Sequence, residues 1–446
     1  MKVSAFLYSG MAVLLILSAG LTIQAATYFV SPSGADTGPG TEALPWRTIQ
    51  KAADTMVAGD TVYIKVGTYS ERVVPQNSGS AGNFIAYTAN PGETAVIDGA
   101  GVDVPEWAAL FDLTGRAYIR VSGLRILNSV SNPHNPGILA DGSDHIVIEN
   151  NYVYNTNDSG IGVWSSHDVT VARNEVERAC RAMWNECISV GGSDTVEVRS
   201  NLVHDSEKEG ICIKDGSSNV KAHGNEVFHT AAVGFYVDAQ DDYTHDIEVY
   251  GNVSHDGVEN GFALASEVGG LLENVKVYNN TAYANGWTGL QVTACCIATH
   301  PMSDIWIVNN TFYDNGRGEW GGGIYLENPQ AQGVVIRNNL LSRNLTFQLA
   351  VDPMAGFTAD HNLIDGFRGG EGEITGDACV EGDPQFVDAA GADFHILETS
   401  PAVDQGSAMA APVMDFDGTP RPQGSGFDIG AFEYRRYRHI RPVTRP

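Results

Sequence analysis

IVIENNYV (146–153), VTVARNEV (169–176), VEVRSNLV (196–203) and VKAHGNEV (220–227) repeat one phrase: alternating apolar residues, then an Asn and another pair with an apolar member, followed by a variable loop and a Gly that opens a further alternating apolar run. The phrase continues as IEVYGNVS (247–254), VKVYNNTA (275–282), IWIVNNTF (305–312) and VVIRNNLL (334–341). Its asparagines are Asn151, Asn174, Asn201, Asn225, Asn252, Asn280, Asn310 and Asn339, with Asn362 in a degenerate last copy, at spacings of 23 to 30 residues. The period of two and the Val/Ile content are strand signals; stacked helices would show a period near 3.6. A strand repeated once per coil gives an all-β fold, a solenoid of stacked parallel coils. With coils about 4.8 Å apart, nine or ten copies predict a rod roughly 45 Å long. An Asn at each bend can satisfy backbone amides of the adjacent coil, so these asparagines are read as structural.

Outward from the repeat, PWRTIQKAADTM (45–56) places Ile49, Ala52, Ala53 and Met56 on one helical face, a short N-terminal capping helix before TVYIKV (61–66) and RVV (72–74). Strand edges at the rod's ends need such covers. The expected organisation is a signal peptide over 1–25, an N-terminal cap and first coils over 26–116, repeats over 117–365, a C-terminal capping segment rich in Gly, Pro and Asp over 366–434, and a basic tail over 435–446. Lys2, an apolar run to Ile23 and the small pair Ala25-Ala26 read as the export signal, an N-terminal membrane anchor being the alternative. The expected protein is therefore secreted or on the cell surface, monomeric, with no membrane span once the signal is removed.

The formal charge of −28 argues against nucleic acid and anionic membranes. It opposes an acidic polymer too, unless cations intervene, and calcium is the expected one outside a cell. The six cysteines include Cys180 and Cys187, close enough to close a loop, and the adjacent Cys295 and Cys296, but spacing leaves the pairing open.

YFVSPSGADTGPGT (28–41), PWRTIQKAADT, GDTVYIKVGTYSERV and AVIDGAG resemble the opening of exported right-handed parallel β-helix proteins of the pectate-lyase-like superfamily, including polysaccharide lyases of families nine and six. DPQFVD (383–388), SPAVDQG (400–406) and DFDGTPRPQGSGFDIGAFEY (415–434) resemble the C-terminal segment of bacterial surface β-helix proteins. The resemblance implies the right-handed fold and, more loosely, action on an extracellular polysaccharide.

Chemistry is expected in the strand after each repeated Gly, where apolar residues point inward and those between them outward. GICIKD (210–215) and GFYVDAQDD (234–242) then place Cys212, Lys214, Tyr236 and Asp238 outside, with Lys214 stacked beside Asp238 and small residues in the flanking coils forming a shallow open groove. Glu186 and Glu209 fall at equivalent positions of successive coils, an unfavourable stack unless a cation bridges them. Glu207, Glu209 and Lys214 resemble a motif of family six lyases in which two glutamates bind calcium and the lysine removes a proton. This chain has Asp238 where that family's assisting arginine would stack, and in NGFALAS (260–266) Ala265 stands in place of the family nine lysine. The expected site is thus Lys214 and Asp238 for catalysis, Tyr236, Asp241, Asp242 and His245 for substrate, and Glu186, Glu207 and Glu209 for Ca²⁺. The expected reaction is calcium-assisted β-elimination on a uronic-acid polysaccharide. Two alternatives stay open: an inverting hydrolase using Asp238 with Asp241 or Asp242, and a non-catalytic binding module presenting Tyr236, Tyr243, Trp164, Trp184 and Trp287 to sugars.

Overall fold

A computed structural model describes residues 25–353 and 356–435. The export signal, apart from Ala25, and the basic tail, apart from Arg435, lie outside the described residues. Among these residues the chain winds into a right-handed parallel β-solenoid with three parallel sheets of 14, 13 and 10 strands. The phrase quoted above builds two of them. Asp144–Glu149, His167–Ala172, Asp194–Arg199 and their successors form the first sheet, and Tyr152–Tyr154, Glu175–Glu177 and Leu202–Ser206 belong to the second. The strands after the glycines, Ile161–Trp164, Ile188–Gly191, Ile211–Lys214, Phe235–Asp238 and Phe262–Ala265, form the third.

In the coils that carry the repeated Asn, the chain turns from the first sheet to the second in two residues. The first has positive φ, as at Asn150 (56°), Arg173 (55°), Ser200 (54°) and Gly224 (63°), and the second is the repeated Asn. That Asn is buried and its side chain spans two coils. Asn201 Oδ1 accepts from the backbone N–H of Asn174 (2.9 Å) and from Asn174 Nδ2 (3.0 Å), while Asn201 Nδ2 donates to the Val171 carbonyl (2.9 Å). The pattern runs unbroken from Asn151 to Asn362. A shorter ladder, Ser143–Ser166–Ser193–Ser217, lines the corner between the third and first sheets. The interior is filled by alternating Ile, Val and Leu from all three sheets, such as Ile146, Ile148, Val153, Ile161 and Val163.

The helix Ile49–Thr55 follows Thr48, whose side chain accepts from the Lys51 N–H, and buries Ile49, Ala52 and Ala53 as its apolar face requires. Of the expected first strands, Thr61–Ile64 forms, whereas Val73 makes only an isolated bridge to Phe111. The C-terminal segment covers less of the rod's end than expected. Val380–Glu381 adds a last strand to the second sheet, but residues 386–434 run back along the flank. There Asn279 donates to the Met414 carbonyl (2.7 Å), Asn338 to the Ser407 carbonyl (2.8 Å), and Gly430 N–H to the Asn338 carbonyl (2.7 Å). The fully buried pair Arg421–Glu433 (2.7 Å) holds this segment together.

Asn225→Ala should leave backbone and side-chain donors of Asn201 without their acceptor. A loss of about 1–3 kcal/mol in denaturant unfolding is expected, and an unchanged midpoint would show that the ladder carries no stability.

Candidate functional site

The third sheet presents the candidate chemistry on its outward face. Its strands pair in parallel with Ser189↔Cys212, Gly191↔Lys214, Cys212↔Tyr236 and Asp238↔Ala265. Because Ile213 pairs with Val237, Lys214 and Asp238 stand next to each other on neighbouring strands, as the glycine alignment predicts. The alternation of inside and outside is also as read.

Outward does not mean exposed. Cys212, Val233, Tyr236, Ala263 and Ala265 form a small buried cluster on this face, and Asp238 is fully buried. The open trough expected from small flanking residues is closed at these groups, where Gln240 bonds Asp238 and Glu267 accepts from the Tyr236 hydroxyl.

Lys214 and Asp238 turn away from each other. The long lysine reaches back one coil, its Nζ 3.1 Å from Glu186 Oε1 and 3.4 Å from Asn185 Oδ1. Burial acts to lower the Lys214 pKa, but the surrounding negative charge, including Glu186 and Asp215, outweighs it and pushes the pKa above its ordinary value. Lys214 is therefore an ammonium, unlike the neutral base that the expected mechanism requires. The short aspartate reaches forward instead. Its Oδ1 accepts from the backbone N–H of Gln240 (2.9 Å) and Glu267 (3.1 Å), and its Oδ2 from the Gln240 amide (2.5 Å). Burial, with the Glu267 charge adding to it, outweighs these bonds and raises the Asp238 pKa to about 6.

The Glu186–Glu209 stack exists, and the bridging cation is Lys208. Its Nζ lies 3.2 Å from Glu186 and 3.4 Å from Glu209. Burial acts to raise the Glu186 pKa, yet Lys214 and Lys208 together hold it below the usual range; burial pushes Glu209 up. A calcium ion at this pair would have to displace one ammonium and face a second. These residues do not fit the ion as they stand, and Glu207 is exposed outside the cluster.

The expected substrate residues separate. Tyr236 is buried and its hydroxyl donates to Glu267 (2.5 Å), so it offers no ring face to a sugar. Asp241 and Asp242 are exposed and act on Asp215, whose pKa is raised by burial first and by their charge as well. His245 belongs to the first sheet, stacked on Tyr243 at 4.1 Å and bonded to Asp246 (2.7 Å). Trp184 fares better among the aromatics. It is 56% exposed beside His134, which stacks on Trp107 at 3.7 Å, and its carbonyl accepts from Lys208 Nζ (3.1 Å). This platform adjoins the lysine–glutamate cluster directly.

Three participants escape the repeat pattern. Lys208 sits between the two glutamates singled out above, and its opposite charge was the available signal. Glu267 stands two residues beyond Ala265, at the coil position equivalent to Gln240. Gln240 itself bridges the two carboxylates, donating 3.1 Å to Glu267.

The chain belongs to the right-handed β-helix family, which matches over residues 114–254, 185–294 and 245–364. Residues 28–182 match a Pel9A-like right-handed β-helix region. The uncharacterized protein YwoF of Bacillus subtilis (strain 168) is 27% identical over 432 residues, covering 84% of this chain and 91% of its own. Pectate lyase PEL9 of Emericella nidulans is 38% identical over 79 residues, 17% of this chain and 19% of that enzyme. The crystal structure of pectate lyase Pel9A superposes over 93% of this chain and 98% of its own with a TM-score of 0.58 at 15% identity, a likeness of fold.

Two outcomes are expected here. Lys208→Met should cost about 1–3 kcal/mol at neutral pH, because it leaves the partly buried Glu209 without its cation while Glu186 keeps Lys214. The loss should shrink in acid, where Glu209 protonates; an equal loss at both pH values would refute the ionic role. Cys180 and Cys187 are both buried free thiols with sulfurs 2.9 Å apart, at the two ends of the loop that carries Trp184 and Glu186. Peptide mapping of protein prepared without reductant should find them linked, and two alkylated thiols would contradict this.

Proposed function

We propose that this protein is an exported, monomeric enzyme that removes the proton beside a uronate carboxyl in an extracellular polysaccharide, the step that begins β-elimination. The observation that carries the reading is Asp238. It is a buried carboxyl with a pKa near 6, on the strand position beside an ammonium held by Glu186. A group that titrates near the working pH suits proton transfer, and strongly shifted groups gather at functional sites.

In this scheme the Lys214 ammonium neutralises the substrate carboxylate and stabilises the negative charge that develops when the adjacent C5 proton leaves. Asp238 Oδ2 accepts that proton once the sugar displaces the Gln240 amide. The C5 electron pair forms the C4–C5 double bond, the C4–O bond breaks, and the departing oxygen takes a proton from solvent. The platform of Trp184 and Trp107 supplies apolar faces for neighbouring sugar rings. Among proteins of this fold, pectate lyase Pel9A and the mannuronan C-5 epimerase AlgE4 A-module (TM-score 0.52, 14% identity) carry names consistent with such chemistry. A hydrolase is the second reading, favoured by the two carboxylates, Asp238 and Glu267, that share one amide.

Polygalacturonate, alginate and neutral glucans, offered with and without a chelator, separate these readings. Unsaturated uronate absorbance that persists in chelator is expected. Asp238 accepts a proton only when ionised, so kcat/KM should rise with pH through about 6 and then level. Asp238→Asn should lose about 10²–10⁴-fold. Loss of activity on chelation would favour the calcium-assisted form. New reducing ends without the absorbance, with a rate falling above about pH 6, would favour hydrolysis. Neither product would leave a binding module.

A further inference from the structure

We infer that the outward face of the first sheet carries a second carbohydrate site, one that takes a short uronate-bearing oligosaccharide. This inference extends the substrate class proposed above but stands on a different sheet and different residues. A cleft of about 870 Å³ lies between this face and residues 410–418 of the C-terminal segment. That is within the ~300–1,000 Å³ range of small-ligand sites.

The floor follows from strand register. Lys221, Glu248, Lys276 and Trp306 are successive partners on four neighbouring strands. His223, Tyr250 and Tyr278 are successive partners two residues further on, with rings stacked at 4.7 and 4.9 Å and within 5° of parallel. The stack stops at Tyr278 because the next partner is Val308. A terminal aromatic face therefore looks over a short side chain, with Trp306 diagonal to it.

The opposite wall is built and held. Met414 is tied to Asn279 (2.7 Å), Arg421 donates to the same Asn279 (3.1 Å), and the backbone N–H of Arg421 donates to the Val413 carbonyl (2.9 Å). Val413 is nevertheless 77% exposed and Met414 46%, an apolar lip at the cleft's edge.

Charge selects the occupant. On a chain of net charge −28, this floor offers two exposed lysines against Glu248, one oxygen of which already accepts from the Tyr278 hydroxyl (2.8 Å), while the wall's Asp415 is buried and accepts from the backbone N–H of Thr419 (2.6 Å) and Glu433 (3.0 Å). Lys221 and Lys276 are two strands apart, about 9–10 Å, a span comparable with a disaccharide. Lysines set to meet carboxylates, next to an aromatic face set to meet the apolar face of a ring, are the complement of an acidic sugar rather than of a neutral one.

Calorimetric titration of the full chain with trigalacturonate, trimannuronate, maltotriose and triglutamate tests this. Saturable binding of at least one uronate trimer is expected, weaker at high salt. Lys276→Ala and Lys221→Ala should each weaken it roughly tenfold, while Asp238→Asn leaves it intact and Lys276→Ala leaves any turnover of short substrates unchanged. Absence of uronate binding, binding indifferent to both lysine variants, or equal binding of triglutamate or maltotriose would each overturn the inference. If turnover is absent but lysine-dependent binding persists, the proposed enzyme fails and the cleft stands. The opposite pattern means the reverse.

Discussion

The hydrogen bond between one buried asparagine and the next is the constraint on which everything else rests. A two-residue corner with positive φ leaves amide groups that cannot reach a partner on their own coil, and an unpaired buried amide costs about 1–3 kcal/mol. Each Asn side chain supplies both missing partners of the preceding coil at once, as Asn201 does by accepting from the Asn174 N–H and donating to the Val171 carbonyl. Coils can therefore stack in only one register at this corner. That register, carried round to the third sheet, sets Lys214 next to Asp238 and, on the first sheet, Lys221 in line with Lys276.

Much of this was legible in the sequence, because period-two alternation and a recurring Asn are local signals. The stacked parallel coil, the structural asparagines and the inward or outward sense of Ile211, Cys212, Ile213 and Lys214 all follow from them. What covers an outward residue does not follow. Asp238 is outward and fully buried because Gln240 and the start of the next loop close over it, and loops carry no repeat from which to read their course. The charges went astray for a related reason. Glu186 and Glu209 do stack, and a side chain from the same loop, Lys208, lies between them as a positive charge that the repeat does not reveal. The C-terminal segment was read as an end cover because it loses the repeat; its contacts with Asn279 and Asn338 instead draw it along the flank.

The two faces handle a strongly negative chain in different ways. Beside the third sheet Lys208 and Lys214 pair with Glu186 and Glu209, which holds both lysines further in their charged state, while burial raises the Asp238 carboxyl to about 6. On the first sheet the lysines remain exposed beside aromatic rings. One arrangement pairs its positive charge within the loops, and the other leaves it at the surface.

All the variation in coil length, from 23 to 30 residues, falls outside the asparagine corner, which stays at two residues throughout. The additional residues enter at the other two corners, on either side of the third sheet, and these hold Trp184, Lys208, Gln240 and Glu267. A family built this way can acquire insertions and deletions around its working surface while its scaffold stays in register. Divergence in what such proteins recognise then needs no change in how they fold.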